Sequence, residues 1–512
     1  MNFVIDALDR DDPDLIRRTK SIGITSDQIE AGVRAGGCDV RVGHNCGDRS
    51  PIFRATSGST ASKVYRCARN CFNGVLGQAE NSRTAPAEVW RGSGAVVSRM
   101  GANRSLVESV ARRARLAGWA ILDRGNPWFV ALDELRAEIE AGGGTLTSFA
   151  NYDYLGIASH PAVIQAANEA LSRFGTGVLG SRLVGGERTI HSDLEHSLAR
   201  FMGAEAALTL VSGYLTNTTI IPHLLGARDL LIMDELCHNS ILAGARGARA
   251  EILTFRHNDL DHLQSILKTR RPQARACMIV VEGLYSMDGD IPDLPRLLEL
   301  KDAHDAWLFI DEAHSLGVLG ETGRGISEHF GEDPTRIDLI IGTLSKSLAS
   351  SGGFVCARKE VIEYLKFTLA GFVYSVGLSP VITAATLAGL DLIASEPGRV
   401  AAARRAAERF LHKAREAGLQ TGGAVGRGIV PIMFNNLDRT MQASQALLQA
   451  NIYAPPIVYV GVPKDLPRIR FFLSAKHDGD PAIDTAVAVL AREARKARPR
   501  YEAQPVAMTA AE

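Results

Sequence analysis

The chain has 512 residues, which is enough for roughly two to four domains and a large buried core. Its 57 Lys and Arg residues balance its 57 Asp and Glu residues, so charge gives no indication of binding to nucleic acid or to an anionic membrane. With 46% hydrophobic and 22% charged residues, the composition is that of a folded globular protein. Seven cysteines exclude a disulfide scaffold, and their odd number favours a reducing compartment such as the cytoplasm.

Residues 1–104 form an extension of irregular sequence, much of which we expect to be poorly ordered. The first residues lack the long apolar run of a secretory signal. The extension contains four cysteines, which are Cys38, Cys46, Cys67 and Cys71. Their spacing matches no standard zinc site, so we predict no metal. Residues 105–146 are expected to form a helical segment, because Ser105 and Glu108 fit a capping box before a helical run.

From about residue 147, short apolar runs alternate with helical stretches, which predicts an α/β domain with a mainly parallel sheet. The predicted strands are Ala207–Val211, Leu230–Met233, Cys277–Val281, Trp307–Ile310, Leu339–Ile341 and Phe354–Cys356. We place this large domain at 147–395. The predicted helix Val400–Ala417 opens a smaller α+β domain at 396–500, and residues 501–512 are expected to be a disordered tail.

The segment 367–390 carries no charged residue and is long enough to span a bilayer. However, Gly371, Gly377 and Pro380 interrupt it. We therefore expect a buried segment of the core or of a subunit contact, rather than a membrane span. An acyl-binding surface is a further possibility for the same segment.

Gly175, Gly177 and Gly180 spell the pattern G-x-G-x-x-G. A dinucleotide site requires this pattern directly after a strand and at the start of a helix. Here it follows a helix-like run over 161–174. A glycine-rich active-site loop is therefore the favoured interpretation, and a nicotinamide oxidoreductase is the weaker alternative.

Residues of possible chemical importance follow the predicted strands, at the sheet edge where open α/β sheets bind ligands. Ser212, Gly213 and Tyr214 follow the first strand and open a helix, where backbone N–H groups can bind a phosphate. A plain helix cap is the alternative. His238 follows the second strand and can stack on an aromatic ring, although a lone histidine at such a position is more often structural.

Asp311 and His314 follow the strand Trp307–Ile310, and this Asp can bind a metal or pair with a protonated ring nitrogen. The local sequence DEAH also fits a helicase box, but no phosphate-binding loop G-x-x-x-x-G-K-[ST] precedes it. Lys346 follows the next strand and has Thr343 and Ser345 beside it. Burial there would lower the pKa of the lysine, as a Schiff-base lysine requires, and the alternative is a solvated surface lysine.

Together these residues form one ordered set, in which Lys346 lies 35 residues after Asp311. Pyridoxal 5'-phosphate (PLP) needs such a set. It needs a lysine for covalent attachment, a carboxylate for the pyridinium nitrogen, a turn for the phosphate and a group to stack on the ring. The sequence therefore predicts a PLP site.

Residues 147–490 resemble the α-oxoamine synthases, which are fold-type I PLP enzymes with a large domain on a mainly parallel mixed sheet and a smaller C-terminal α+β domain. The matching segments are NYDYLGIASHP at 151–161, GSRLVGGERTIHSDLE at 180–195, SGYLTN at 212–217, DELCHNS at 234–240, EGLYSMDGDIPDL at 282–294, DEAHSLGVLGETGRG at 311–325 and GTLSKSLASSGGF at 342–354. Members of the family include serine palmitoyltransferase, 8-amino-7-oxononanoate synthase, glycine C-acetyltransferase and 5-aminolevulinate synthase.

The resemblance implies a role for each residue at the cofactor ring. Lys346 would hold the cofactor and exchange a proton at the substrate α-carbon. Asp311 would pair with the pyridine nitrogen, and His314 would contact the ring hydroxyl. His238 would stack on the ring, and Ser286 would lie near its hydroxyl.

The resemblance also implies residues for the phosphate and the substrate. The phosphate would be held by Gly213, Tyr214, Thr343 and Ser345. Ser375 matches a position that reaches the phosphate of the neighbouring subunit, which implies a homodimer with shared active sites. Arg470 matches the arginine that binds the amino-acid carboxylate, a planar anion that suits a guanidinium. Tyr152 is a second candidate on the substrate side.

The implied reaction is a decarboxylative condensation of an amino acid with an acyl thioester to give an α-aminoketone. Tyr152 favours the serine palmitoyltransferase branch, whereas Ala454 stands where some bacterial members have an arginine. 8-Amino-7-oxononanoate synthase and glycine C-acetyltransferase remain alternatives. The thioester is carried by coenzyme A or by an acyl-carrier protein, for which residues 1–104 are a candidate docking segment. A catalytically silent partner subunit is a further alternative, but the presence of Lys346 and Asp311 argues against it.

Overall fold

The structure is a computed structural model of the chain. It describes residues 145–458, 462–463 and 465–496, together with the backbone of Val40–Asn45, Asp48–Ala55, Glu138–Ala141 and Gly144. The chain divides into two compact units, Met1–Ala114 and Arg115–Glu512. The predictions for Ser105, for the tail 501–512 and for the four cysteines of the extension lie outside the described residues. The boundary predicted at residue 396 stays a prediction.

In the first unit, β1 (Val40–Asn45) and β2 (Asp48–Ala55) pair in antiparallel fashion. In the second unit, the first elements that the structure describes are another antiparallel pair, β3 (Glu138–Ala141) and β4 (Gly144–Ser148). Part of the segment that we expected to be helical is therefore a strand. Glu and Ala are good helix formers, but helix propensity amounts to less than about 1 kcal/mol per residue, and pairing with a neighbouring strand overrides it.

A seven-stranded sheet lies at the centre of the second unit. Its strands are β5 (Ala206–Leu210), β6 (Leu230–Asp234), β7 (Glu251–Phe255), β8 (Cys277–Glu282), β9 (Trp307–Asp311), β10 (Leu339–Thr343) and β11 (Gly353–Ala357). The spatial order is β5-β11-β10-β9-β8-β6-β7, and β11 alone runs antiparallel to its neighbours. This confirms the predicted α/β fold with a mainly parallel sheet.

The six predicted strands are all present, and their ends differ from the predicted ones by at most two residues. The sequence analysis missed β7. This strand lies at the sheet edge, and most of its side chains are at least partly exposed. It therefore lacks the continuous apolar run that marks a strand buried on both faces.

Helices cover both faces of this sheet. They are α1 (Pro161–Phe174), α2 (Thr189–Met202), α3 (Gly213–Leu224), α4 (Asn239–Gly247), α5 (Leu260–Arg270), α6 (Leu294–Ala303), α7 (Ile326–Phe330), α8 (Lys359–Thr368), α9 (Ala370–Val373) and α10 (Pro380–Ser395). Shorter turns of 3₁₀ or π helix occur at Arg182–Gly186, Arg271–Gln273, Pro334–Arg336 and Ala475–His477. Successive strand residues such as Ile279 and Val280 belong to different apolar clusters, because alternate side chains point to opposite faces of the sheet.

A second, smaller sheet follows. Its region contains α11 (Gly398–Glu416), β12 (Ile429–Met433), α12 (Leu437–Gln449), β13 (Ile452–Tyr453), β14 (Pro456–Ile457), β15 (Arg468–Phe472) and α13 (Ala482–Arg495). Strands β12, β15 and β14 form an antiparallel sheet, and β13 pairs with β4. A separate apolar cluster that includes Phe149, Phe410 and Phe471 packs beneath this sheet. The α+β character expected of the C-terminal part is confirmed.

The uncharged segment 367–390 forms α9 and much of α10, and α10 packs against α1 and α2. Buried residues of α10 include Thr383, Thr386 and Ile393. Among the residues that the structure describes, no helix is long and apolar enough to cross a membrane. The pattern G-x-G-x-x-G begins at Gly175, directly after the last residue of α1, so it follows a helix and lacks the preceding strand of a dinucleotide site.

Candidate active site

The candidate residues converge because the strands that precede them are parallel neighbours. Strands β5, β6, β8, β9 and β10 all end at one edge of the large sheet. Asp311 is the last residue of β9, and Gly213, His238, Ser286 and Lys346 follow the ends of the other four strands. This edge is the place where open α/β sheets bind ligands.

The phosphate candidates from two different strand ends lie together. Ser212 caps α3, with its Oγ accepting from the N–H of Leu215 at 3.4 Å. The next residue, Gly213, lies so close to Thr343 that an added Cβ would be 3.0 Å from its Oγ1. Thr343 Oγ1 in turn lies 2.8 Å from Ser345 Oγ. A helix N-terminus beside two hydroxyl groups suits a phosphate.

The side chain of Tyr214 points away from these hydroxyl groups, towards α4. Its hydroxyl donates to Asn239 Oδ1 at 3.1 Å, and about half of the residue is exposed (49%). Tyr214 lies in the first turn of α3. Only its backbone is therefore placed to join the residues that are candidates for phosphate binding.

A chain of hydrogen bonds joins Asp311 to His238. Asn217 Nδ2 donates to Asp311 Oδ2 at 2.8 Å and to Ser240 Oγ at 2.9 Å. Ser240 Oγ lies 2.7 Å from Nδ1 of His238, and Oδ1 of Asp311 accepts from the N–H of Ala313 at 2.9 Å. Desolvation lowers the pKa of His238 more than the charge of Asp311 raises it. The imidazole is therefore neutral, and Nδ1 accepts from Ser240.

His314 is buried on the same side of the sheet and is held by aromatic residues. Its Nδ1 lies 2.8 Å from the hydroxyl of Tyr154, and its ring stacks on Phe472 with the centroids 6.3 Å apart. Burial lowers the pKa of His314 well below its usual range, and the charges of Lys346 and Arg470 add to this effect. His314 is therefore neutral, so one of its ring nitrogens can donate a hydrogen bond and the other can accept one.

Lys346 is partly enclosed, and its Nζ lies 5.8 Å from the centre of the Tyr152 ring. Burial lowers the pKa of Lys346 to about 8, although the carboxyl groups of Asp311 and Glu282 oppose this effect. A lysine in this state supplies far more neutral, nucleophilic amine near neutral pH than an exposed lysine does.

Glu282 is a residue that the sequence analysis did not single out. It ends β8 directly opposite Asp311 on β9, and 3% of its surface is exposed. Burial, helped by the charge of Asp311, raises the pKa of Glu282 to about 8. Its Oε2 accepts from the N–H of Ser286 at 3.4 Å, while Oε1 is buried with no hydrogen-bond partner among the described residues.

Arg470 lies on β15 of the smaller sheet and reaches the same edge. Its Nη1 donates to the carbonyl of Ser286 at 2.7 Å, and its Nη2 lies 3.5 Å from the hydroxyl of Tyr152. The guanidinium packs on the ring of Phe472 at 4.4 Å. Its Nε is buried without a hydrogen-bond partner in the described part of the chain, so a donor is left for an anionic ligand.

Ser375 is the candidate that the fold does not bring into contact with the others. It lies between α9 and α10, where it lines a small cavity with Arg182, Thr209 and Val211. Within the described residues, no hydrogen bond connects its side chain to another candidate residue. Because Val211 directly precedes Ser212, the cavity lies beside the residues that are candidates for phosphate binding.

These residues fit PLP. Gly213 lies so close to Thr343 that no side chain fits at this position. The start of α3 therefore faces the hydroxyl groups with its backbone alone. Asp311 is a buried carboxylate held by two donors, as an acceptor for a pyridinium N–H requires. Lys346 has the lowered pKa of an imine-forming lysine. When bound, PLP supplies an electron sink that stabilises negative charge at the α-carbon of an amino acid.

Comparison with known proteins agrees with this chemistry. The profile of the family described as aminotransferase class I and II matches residues 145–484. Serine palmitoyltransferase from Sphingobacterium spiritivorum is 38% identical over 360 residues, which are 70% of this chain and 89% of that protein. The chain belongs to this family. Within it, the chain is an α-oxoamine synthase, as the resemblance implied.

Two further similarities support the assignment. 8-Amino-7-oxononanoate synthase from Methylobacterium nodulans is 42% identical over 341 residues, which are 67% of this chain and 85% of that protein. A solved structure of serine palmitoyltransferase with PLP as an internal aldimine has a TM-score of 0.72 and 28% identity, and the match covers 77% of this chain and 99% of that chain. The α-oxoamine synthase is a PLP-dependent acyltransferase that condenses an amino acid with an acyl thioester.

The structure adds three residues to those chosen from the sequence, namely Asn217, Tyr154 and Glu282. Each occurs in a segment that carried the resemblance, a few residues away from a residue that we did choose. Asn217 lies one helical turn after Gly213, and Tyr154 lies two residues after Tyr152. Their closeness in sequence to chosen residues was the available signal. The local sequence does not show that Asn217 contacts Asp311 or that Tyr154 contacts His314.

Proposed function

We propose that this α-oxoamine synthase condenses serine with a long-chain acyl thioester and releases CO₂ and the free thiol. The product is a long-chain α-aminoketone. The contact between Arg470 and Tyr152 carries the amino-acid part of the proposal. The guanidinium suits a carboxylate, and the phenol hydroxyl beside it offers a hydrogen bond to a substrate that has a hydroxyl group of its own.

We assign the cofactor contacts as follows. Asp311, fixed by Asn217, accepts a hydrogen bond from the pyridinium nitrogen, and the flat face of His238 covers the ring. His314 and Ser286 lie towards the ring hydroxyl. The phosphate is held by Ser212, Thr343 and Ser345, with the backbone of Gly213 and Tyr214.

The proton at the substrate α-carbon is the task of Lys346. The free amine of Lys346 would accept this proton, which the electron sink of bound PLP would make more acidic. Its lowered pKa supports that role, because an amine with a pKa of about 8 has a much larger neutral fraction near neutral pH than an ordinary lysine has. Arg470 holds the carboxylate meanwhile, so that the α-carbon stays within reach of Lys346.

8-Amino-7-oxononanoate synthase is the second candidate. A relative with that name reaches 42% identity, which is higher than the 38% identity to the serine palmitoyltransferase. That alternative requires alanine as the amino acid and pimeloyl thioester as the acyl donor. Serine and alanine differ only by a hydroxyl group, and the pimeloyl donor is shorter than a long-chain donor and ends in a carboxylate, so a direct comparison of substrates separates the two candidates.

We also propose that the enzyme is a homodimer that shares its active sites through the segment around Ser375. Leu179 is 94% exposed and adopts a left-handed backbone with φ of 57°, and Tyr374 is 87% exposed. The segments that carry them adjoin, since the N–H of Gly377 donates to the carbonyl of Gly180 at 3.0 Å. Such an apolar surface beside the active site supports contact with a second copy.

The homodimer is tested by Leu179→Glu, which places a charge in the proposed contact. We expect this variant to be a monomer by light scattering after size exclusion, whereas Leu448→Glu, at an exposed apolar position on α12, stays dimeric. A wild-type monomer would refute the proposal.

We place the enzyme in the cytoplasm, which the buried free thiols of Cys237, Cys277 and Cys356 support. An acyl-carrier protein as the thioester donor remains part of the proposal, with residues 1–104 as its docking segment. Deletion of residues 1–104 should then weaken turnover with an acyl-carrier donor and leave turnover with acyl-coenzyme A unchanged.

The substrate test uses the full chain loaded with PLP. Serine, alanine and glycine are each titrated by visible absorption and then paired with palmitoyl- or pimeloyl-coenzyme A, with the aminoketone measured by mass spectrometry. We expect serine and palmitoyl-coenzyme A to give the highest kcat/KM. Turnover restricted to alanine and pimeloyl-coenzyme A would establish the second candidate. Lys346→Ala serves as the inactive control.

A further inference from the structure

His257 lies outside the set of candidate residues, in the loop after β7. Its Nδ1 is 2.9 Å from Asp234 Oδ1, and its Nε2 is 2.8 Å from Asp290 Oδ2. Asp234 is the last residue of β6, and Asp290 lies in the loop after β8. A single imidazole therefore spans two loops that begin at neighbouring strands.

The geometry favours protonation of this imidazole on both nitrogens, because each ring nitrogen faces a carboxyl oxygen. Oδ2 of Asp290 also accepts from Asn258 Nδ2 at 3.2 Å, and Oδ1 of Asp234 accepts from the N–H of Leu236 at 2.9 Å. An ionised carboxyl group is only an acceptor, so between Asp234 and Asp290 as carboxylates each ring nitrogen of His257 donates. Asn258 Nδ2 also lies 3.4 Å from Nε2, but the contact to Asp290 is the shorter one. The result is an imidazolium between two carboxylates.

Other groups face His257 as well. Its backbone N–H donates to Glu235 Oε1 at 3.0 Å, and the ring of Tyr285 meets the imidazole edge-on with centroids 4.5 Å apart. Burial by itself lowers the pKa of His257, but the hydrogen bonds to Asp234 and Asp290 outweigh it and raise the pKa to about 10. The cation is therefore present throughout the physiological range.

Each of the two bridged loops carries a residue of the active site. The loop after β6 runs from Asp234 to His238, which is proposed to cover the cofactor ring. The loop after β8 contains Ser286, whose carbonyl accepts from Arg470 at 2.7 Å. This second loop is closed on itself, because the N–H of Tyr285 donates to the carbonyl of Asp290 at 2.9 Å.

We propose that His257 is a positioning residue that ties the His238 loop to the Ser286 loop, and so holds the stacking imidazole and the carboxylate-binding guanidinium in register over one cofactor. This inference rests on the proposed roles of His238 and Arg470. His257 itself touches neither cofactor nor substrate. Its effect passes through Asp234 on one side and Asp290 on the other.

The first experiment detects the charge without reference to activity. Holoenzyme labelled with ¹⁵N-histidine is studied by NMR, and the resonances of His257 are assigned by their loss in His257→Gln. We expect both ring nitrogens of His257 to be protonated at about pH 8, where an ordinary histidine is neutral. Neutral-ring chemical shifts at this pH would overturn the proposal.

The second experiment measures positioning in His257→Gln, which preserves size but cannot donate at both ends. We expect the KM for the amino acid to rise by at least about tenfold, with a smaller change in kcat, because displacement of Arg470 weakens substrate orientation. The circular dichroism of the bound cofactor should change, because His238 shifts over the ring. His412→Gln removes an exposed histidine–glutamate pair on α11 and should change neither property.

Asp290→Asn is the second variant, in case His257→Gln does not fold. It keeps the shape of the side chain and removes one of the two carboxylates, so we expect the same rise in KM and a lower pKa of His257. A variant with the KM and dichroism of the wild type would refute the positioning role. Wild-type holoenzyme that shows no spectral response to any amino acid would instead refute the proposed function. The NMR experiment would still test the charge of His257, because it does not depend on activity.

Discussion

Asn217 and Asp311 are joined by a hydrogen bond of 2.8 Å, which links the helix that opens at the proposed phosphate site to the carboxylate at the end of β9. The same Nδ2 group donates to Ser240, which in turn contacts His238. One amide thus orients both the carboxylate that is proposed to pair with the ring nitrogen and the imidazole that is proposed to cover the ring. A buried carboxylate without this donor would be less well held as an anion.

Replacement of Asn217 should therefore weaken PLP binding. A hydrogen bond to a charged group is worth about 1.5–3 kcal/mol, so Asn217→Ala should raise the Kd for PLP by about 10- to 100-fold. Asn217→Asp should be worse, because it sets a second carboxylate against Asp311. Titration with PLP, followed by visible absorption, measures this effect. Equal affinities of wild type and Asn217→Asp would contradict the role of the contact.

The lowered pKa of Lys346 should appear in the rate at which PLP-free protein recovers its visible absorption. The neutral amine is the reactive form, so the rate should rise with pH and level off above about 8, where most of the amine is neutral. At pH 7 the neutral fraction is about 10%, against less than about 0.1% for an ordinary lysine. A rate that continues to rise to about pH 10.5 would show an unperturbed lysine.

Arg470→Lys should separate substrate binding from cofactor binding. Lysine keeps the positive charge but loses the forked geometry that grips a carboxylate with two N–H groups. We expect the KM for the amino acid to rise by about tenfold or more, whereas the Kd for PLP changes by less than about threefold. Steady-state kinetics and PLP titration test this split. Equal losses in both quantities would place Arg470 at the cofactor.

Gly213→Ala tests the close approach of α3 to Thr343. A Cβ at this position would lie 3.0 Å from Thr343 Oγ1 and 3.1 Å from its Cβ, so that Thr343 must shift. We expect PLP affinity to fall by about tenfold or more, although alanine favours a helix by about 1 kcal/mol over glycine. Gly177→Ala is the matched control, since nothing lies within 4 Å of an added Cβ there. Equal PLP affinity in both variants would contradict the proposed phosphate site.

Residues whose importance depends on tertiary contact are the ones that the sequence analysis missed. Asn217 and Asp311 are separated by 94 residues, and Arg470 reaches Ser286 across 184 residues. Glu282 has an altered pKa because β8 lies beside β9 and both strand ends are buried. Local sequence shows neither the partner nor the burial that gives such residues their properties.

The sequence by itself determined the parallel sheet and its reactive edge, because apolar runs identify buried strands and parallel strands end at the same edge. It thereby identified Lys346, Asp311 and His238 as site candidates, and the family resemblance added Arg470. Tertiary structure alone decided which hydrogen-bond partners orient these side chains. It also decided that Glu138–Ala141 forms a strand, that Glu251–Phe255 completes the sheet and that His257 bridges two loops. The physical reason is that pairing and desolvation depend on residues distant along the chain, which no local pattern records.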